Sequence, residues 1–268
     1  MNKFTSALAL GAGLVLSLTG PSAHASSTTG TVVQQLSSAE ISASTFNSLF
    51  TPIANAAPIK SSFQFMNTTT TGTMESQVFK GKDGTSASGL YAYAYQIAVN
   101  NVSDVNGQPT SVNSASFAYN ATPVPAALTA GATPSAVYVS KDGQIGGLDL
   151  SQAGTGSVIQ TPTSVAWMPG SKTGALTLQY LDAAKGTGPL PAGSNSATVI
   201  VLSNQPFTTQ PVSLQNANPQ IAYPSAYSAQ GGEISEVPVP EPAAVLAWAG
   251  MIGAAALVRR TRKARAAA

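Results

Sequence analysis

Residues 89–99 read GLYAYAYQIAV, and this alternation constrains the chain more than any other feature. In an extended strand successive side chains point to opposite faces, so Tyr91, Tyr93 and Tyr95 share one face with Ile97 and Val99. Similar short runs recur at 61–65, 73–80, 111–119, 135–140, 164–168, 175–181 and 196–203. Gly, Pro, Asn and Asp separate them, including the turn signals GKDG at 81–84 and SKDG at 140–143. Many short strands punctuated in this way predict a mainly β fold. The expected architecture is an antiparallel, Greek-key-like β-sandwich over residues 26–225. One short helix is expected near residues 39–49. The segment 204–240 is rich in Pro, Gln, Ser and Asn, and residues 226–236 within it read as a flexible stalk.

Such a fold has to be stabilised without disulfides, because the 268-residue chain contains no cysteine. A hydrophobic content of 43% supplies the core instead, while only 8% of residues are charged, against about 25% in an average soluble protein. The charges are also unevenly placed. Arg259, Arg260, Arg262 and Arg265 are all the arginines and lie in the last ten residues beside Lys263. Between Ser26 and Val237 six lysines face nine carboxylates, so the body is mildly acidic. Nucleic-acid binding, which draws its affinity from phosphate neutralisation by a basic surface, is excluded for such a body.

Both ends look like processing segments. Lys3, an apolar stretch and small residues at Ala23 and Ala25 make residues 1–25 an expected signal peptide, cleaved by signal peptidase after Ala25. At the other end, residues 243–258 are sixteen uncharged residues, about 24 Å long as a helix. That length nearly spans a hydrocarbon layer of about 30 Å, and flanking arginines reaching the headgroups complete it. The basic cluster favours a cytoplasmic carboxyl end with the body outside. Pro242 suits the first turn of this transmembrane helix and Glu241 its positive dipole end. A buried globular helix and a permanent anchor are the alternatives.

The order Pro240, Glu241, Pro242, then an apolar helix, then Arg259, Arg260, Arg262, Lys263 and Arg265 resembles the PEP-CTERM sorting domain, also called the ice-binding protein C-terminal domain. The resemblance covers residues 237–263. It implies export in a Gram-negative bacterium that makes exopolysaccharide, transient anchoring in the inner membrane, and cutting by an exosortase near Pro-Glu-Pro. The segments YAYQIAVNNVSD and TGPLPAGSNSATVIVLS are similar to the bodies of such proteins and imply a β-sandwich without implying an activity. The expected product is a cell-surface or matrix protein with a structural or adhesive role.

The chemistry open to the body is narrow. The sole histidine, His24, lies in the signal peptide, so a mature chain has no residues for a Ser-His-Asp triad, a Cys-His pair or a redox thiol. No catalytic residue and no cofactor is assigned, and the chain is not expected to be an enzyme. Carboxylate chemistry on a glycan would need two acids across a sugar, with Glu75, Asp83, Asp104, Asp142, Asp149 and Asp182 as candidates by type. Calcium is the metal that would suit the oxygens of DVNG at 104–107 and DGQIGGLD at 142–149. Tyr91, Tyr93, Tyr95 and Trp167 would contact glycan if exposed, or fill the core if buried.

Overall fold

In a computed structural model the described residues are 32–66, 68, 70–101, 111–142, 144–149, 158–216, 220–235 and 237. The expected signal peptide with Ala23 and Ala25, the expected sorting motif at Pro240, Glu241 and Pro242, the apolar segment 243–258, the basic cluster and Asp104 lie outside them. Among the described residues no helix is long and apolar enough to cross a membrane.

The described chain is mainly β. It begins with β1 (Gln34–Leu36), β2 (Ser38–Glu40), α1 (Ala43–Leu49), β3 (Phe50–Pro52), β4 (Ile59–Gln64), β5 (Thr71–Gly81) and β6 (Tyr91–Val99). Next come β7 (Ser111–Val112), β8 (Ser114–Tyr119), β9 (Val137–Ser140), β10 (Gln144–Ile145), β11 (Leu148–Asp149), β12 (Ile159–Gln160), β13 (Ser164–Met168) and β14 (Gly174–Gln179). The last are β15 (Leu190–Pro191), β16 (Asn195–Ser196), β17 (Thr198–Ser203), β18 (Phe207–Gln215), β19 (Ile221–Ala222) and β20 (Ser225–Ala229). The single α-helix falls inside the expected window. Ser42 starts it, its Oγ accepting the Thr45 N–H at 3.2 Å.

Two large sheets carry the fold. The first has the order β1-β13-β14-β8-β18-β19 and is antiparallel throughout, with β20 added on β18. The second has the spine β6-β17-β9-β2, with β5 on the other edge of β6, β3 and β4 on β5, and β16 carrying β12. Its pairings are antiparallel except β2 with β9 and β12 with β16.

The alternation in β6 has the predicted consequence. Tyr93, Tyr95, Ile97 and Val99 enter a core shared with Phe117, Tyr119, Trp167, Leu176 and Leu214 of the first sheet. The Tyr93 and Tyr119 rings meet edge to face at 5.6 Å, and Tyr95 lies 4.3 Å from Phe117. Gly174 makes room for Trp167, since a Cβ there would come within 1.9 Å of the indole.

The alanine face of β6 is buried as well. Ala92 and Ala94 join a second core with Phe46 and Phe50 from the α1 region, Leu128, Ile145, Leu148, Ile200 and Leu202. Small side chains let this outer layer come close to the sheet. The β10–β11 hairpin turns at Gly146, whose φ of +59° suits a two-residue turn, and Gln77 Oε1 accepts the Gly147 N–H at 2.6 Å.

The expected stalk at 226–236 is corrected by the structure. Residues 225–229 form β20, which pairs with residues 207–211 of β18, and Ala226, Tyr227, Ser228 and Ala229 are buried. Apolar positions 226, 227 and 229 gain more from covering the core than a stalk gains in chain entropy. Tyr227 N–H donates to Ser76 Oγ at 3.0 Å, and its hydroxyl donates to the Ala57 carbonyl at 2.8 Å.

At the centre, the Tyr95 hydroxyl donates to the Tyr227 carbonyl at 2.7 Å and lies 2.7 Å from the Tyr119 hydroxyl, which is then the donor to it. Replacing Tyr95 with Phe leaves a buried carbonyl and a buried hydroxyl unpaired, at about 1–3 kcal/mol each, whereas Tyr119→Phe removes one bond worth about 1 kcal/mol. Denaturant unfolding is expected to rank the two variants in that order.

Burial pushes the phenols of Tyr93, Tyr95, Tyr119 and Tyr180 far above the usual tyrosine range. The unfolded chain releases these protons near pH ~10 and the folded chain retains them. Stability is therefore whole below about pH 10 and falls above it by about 1.4 kcal/mol per pH unit for each phenol. Denaturant midpoints measured across that boundary should hold on the acid side and drop steeply on the alkaline side.

Candidate functional site

Of the two readings of the aromatic residues, the structure shows the core one for Tyr93, Tyr95 and Trp167. Tyr93 and Trp167 are 0% exposed, Tyr95 is 1% exposed, and Tyr91 is half-buried against the same core. Their rings satisfy the need of two facing sheets for large apolar area, so none is free to stack on a sugar. Among the described residues the exposed ring is that of Tyr223, at 67%, between β19 and β20. Alternation pointed away from it, since it follows a proline-rich stretch with no periodicity.

The described carboxylates are mostly structural. Asp142 Oδ1 accepts the Ala43 N–H at 3.0 Å and the Ser140 hydroxyl at 2.9 Å. These bonds hold its carboxyl below the usual range and close the first turn of α1 from a distant loop. Asp182 Oδ1 accepts the Ala184 N–H at 3.1 Å within a turn. Asp83 is exposed beside Lys80 and Lys82, in a groove of about 420 Å³ whose other wall is residues 51–54.

Glu75 is different. It stands on β5 directly opposite Lys60 of β4 on one side and Gln96 of β6 on the other, so the three side chains form a row across one face. Glu75 is 6% exposed and Gln96 3% exposed. Lys60 Nζ lies 2.9 Å from Glu75 Oε1, its side chain 47% exposed. Glu75 Oε2 and Gln96 Nε2 are buried without a hydrogen-bond partner. Register alone brings the three together, and no local motif in the sequence marks them.

The carboxyl end of the described body forms a clasp. Residues 232–235 run beside 120–122, with Gly232 N–H on the Asn120 carbonyl at 2.9 Å and Thr122 N–H on the Glu233 carbonyl at 3.0 Å. Ser235 N–H donates to Thr122 Oγ1 at 2.7 Å, and Trp167 Nε1 donates to the Ser235 carbonyl at 2.9 Å. Gln34 then grips Val237 from β1, its Oε1 accepting the Val237 N–H at 2.7 Å and its Nε2 donating to the Val237 carbonyl at 3.4 Å. Val237 is 4% exposed.

A second groove, of about 620 Å³, opens where the chain crosses from β1 to β2. Ser37, Ser38, Thr163, Ser164, Gln35 and Asp182 give it a hydroxyl-rich wall.

Comparison with known proteins returns no matching family model, no matching curated protein and no matching solved structure.

Gln34→Ala removes both bonds to Val237, and the loss is expected to be about 1–2 kcal/mol, concentrated at the carboxyl end. Hydrogen exchange should quicken at residues 233–237 and stay unchanged in β6.

Proposed function

We propose that this chain is an exported protein of the Gram-negative cell envelope or extracellular matrix. Residues 1–25 carry it out, residues 243–258 hold it transiently in the inner membrane, and an exosortase releases it near Pro240, Glu241 and Pro242. The mature protein is a β-sandwich with a non-catalytic structural or adhesive role beside exopolysaccharide.

The observation that carries this reading is the clasp at Val237. The last tether among the described residues precedes Pro240 by three residues, a reach of about 10 Å at full extension. Cutting at or after Pro240 leaves every described contact of the body in place.

The test is expression of the full chain in hosts with and without an exosortase. With the enzyme, protein recovered outside the cell should lack residues 243–258; without it, the chain should stay in the membrane fraction. Uncut tail on protein recovered outside an exosortase-bearing host overturns the proposal.

The hydroxyl-rich groove favours a second reading, a carbohydrate-binding module. Saturable binding to one member of an exopolysaccharide panel, with or without calcium, and its loss in a folded Ser38→Tyr variant, would place recognition there. Absence of saturable binding leaves the structural role.

A further inference from the structure

We propose that Lys60 and Gln96 are the two ends of an intramolecular isopeptide cross-link, with Glu75 between them as the proton carrier. Lys60, Glu75 and Gln96 occupy directly opposed positions on three adjacent antiparallel strands, and so share one face of the sheet. Lys60 and Gln96 stand two strand spacings apart, about 10 Å between Cα atoms. An extended lysine and a glutamine side chain reaching towards each other over Glu75 cover that gap.

The polar atoms support the assignment. Lys60 Nζ is already 2.9 Å from Glu75 Oε1, within range for a proton to pass. Glu75 Oε2 has no partner, and neither does the Gln96 amide nitrogen, although both are buried. A buried carboxylate with one oxygen unsatisfied is costly, and taking up a proton from the half-exposed Lys60 neutralises it. The neutral amine so formed is a nucleophile.

The step balances without an oxidant or a co-reactant. Lys60 Nζ attacks Gln96 Cδ, the Nζ–Cδ bond forms and the Cδ–Nε2 bond breaks. Two protons leave Nζ through Glu75 and end on the departing nitrogen, so the products are one secondary amide and one ammonium ion. Glu75 finishes as the carboxylate it began. The half-exposed Lys60 side chain marks the way out for the ammonium. The link would tie β4 to β6 across β5 in a chain that has no cysteine to do so.

Peptide mapping of the full-length chain after secretion tests this directly. If the link forms, trypsin fails to cut after Lys60, and the peptide that contains Lys60 and ends at Lys80 travels joined to peptide 83–141, lighter than the sum by one ammonia. Lys60→Arg and Glu75→Gln should both return Gln96 to an unlinked peptide of unmodified mass, and Lys60→Arg should lower the Tm. Recovery of peptide 83–141 from the folded wild-type chain as an unlinked species of unmodified mass, with normal cutting after Lys60, overturns the proposal. That outcome would leave Gln96 as a hydrogen-bond partner of Glu75 after a side-chain rotation. The wild-type map decides the matter even if Glu75→Gln does not fold.

Discussion

The Tyr95 hydroxyl is the point on which the two sheets and the closing strand depend. It belongs to β6 of the second sheet, meets Tyr119 of the first and donates to the main chain of β20. A single side chain thus ties three elements separated by 24 and 132 residues in sequence. A register slip of one residue in β6 would send this ring into the outer layer and put an alanine in its place. In a chain with no cysteine, buried tyrosines serve as the cross-braces. They add apolar area and leave one directional bond at the ring tip.

The second sheet is buried on both faces for most of its length, and its sequence changes character along the strands. The outer face of β5 runs Phe79, Gln77, Glu75, Thr73, and that of β6 runs Ala92, Ala94, Gln96, Ala98. At one end α1 and the β10–β11 hairpin cover it with Phe46, Ile145 and Leu148. At the other end the face becomes polar, and there Lys60, Glu75 and Gln96 line up. Apolar packing has no directional demand, whereas a buried polar row must find partners or react. That contrast separates the part of this face that stabilises from the part that offers chemistry.

The clasp at the carboxyl end connects the fold to the proposed sorting of the protein. Trp167 has its ring in the core and its N–H on the backbone at Ser235, so the same residue fills the interior and holds the last described segment. Because Gln34 binds Val237 from the first strand, the two ends of the body are fastened together. In the sequence, the proposed sorting motif begins three residues after Val237.

Much of the strand pattern was legible because a half-buried strand writes its burial into every second residue. SVAWM at 164–168 coincides with β13, and the Tyr-Ala run lies inside β6. The short strands β1, β2, β3 and β20 were not legible, since two or three residues, or a proline-flanked SAYSA, carry no period of their own. Alternation put Tyr93 and Tyr95 on one face with Ile97 and Val99, and only the structure shows that this face meets another sheet and not solvent. Lys60, Glu75 and Gln96 are separated by 15 and 21 residues, with nothing local to relate them. Composition, periodicity and turn chemistry are local, and they determined by themselves that the chain is mainly β, has no cysteine and no histidine beyond residue 24, and presents a tail unlike its body. Which face is covered, which tyrosine reaches which strand and which carboxylate stands between an amine and an amide depend on register between distant segments, and only the tertiary structure decided them.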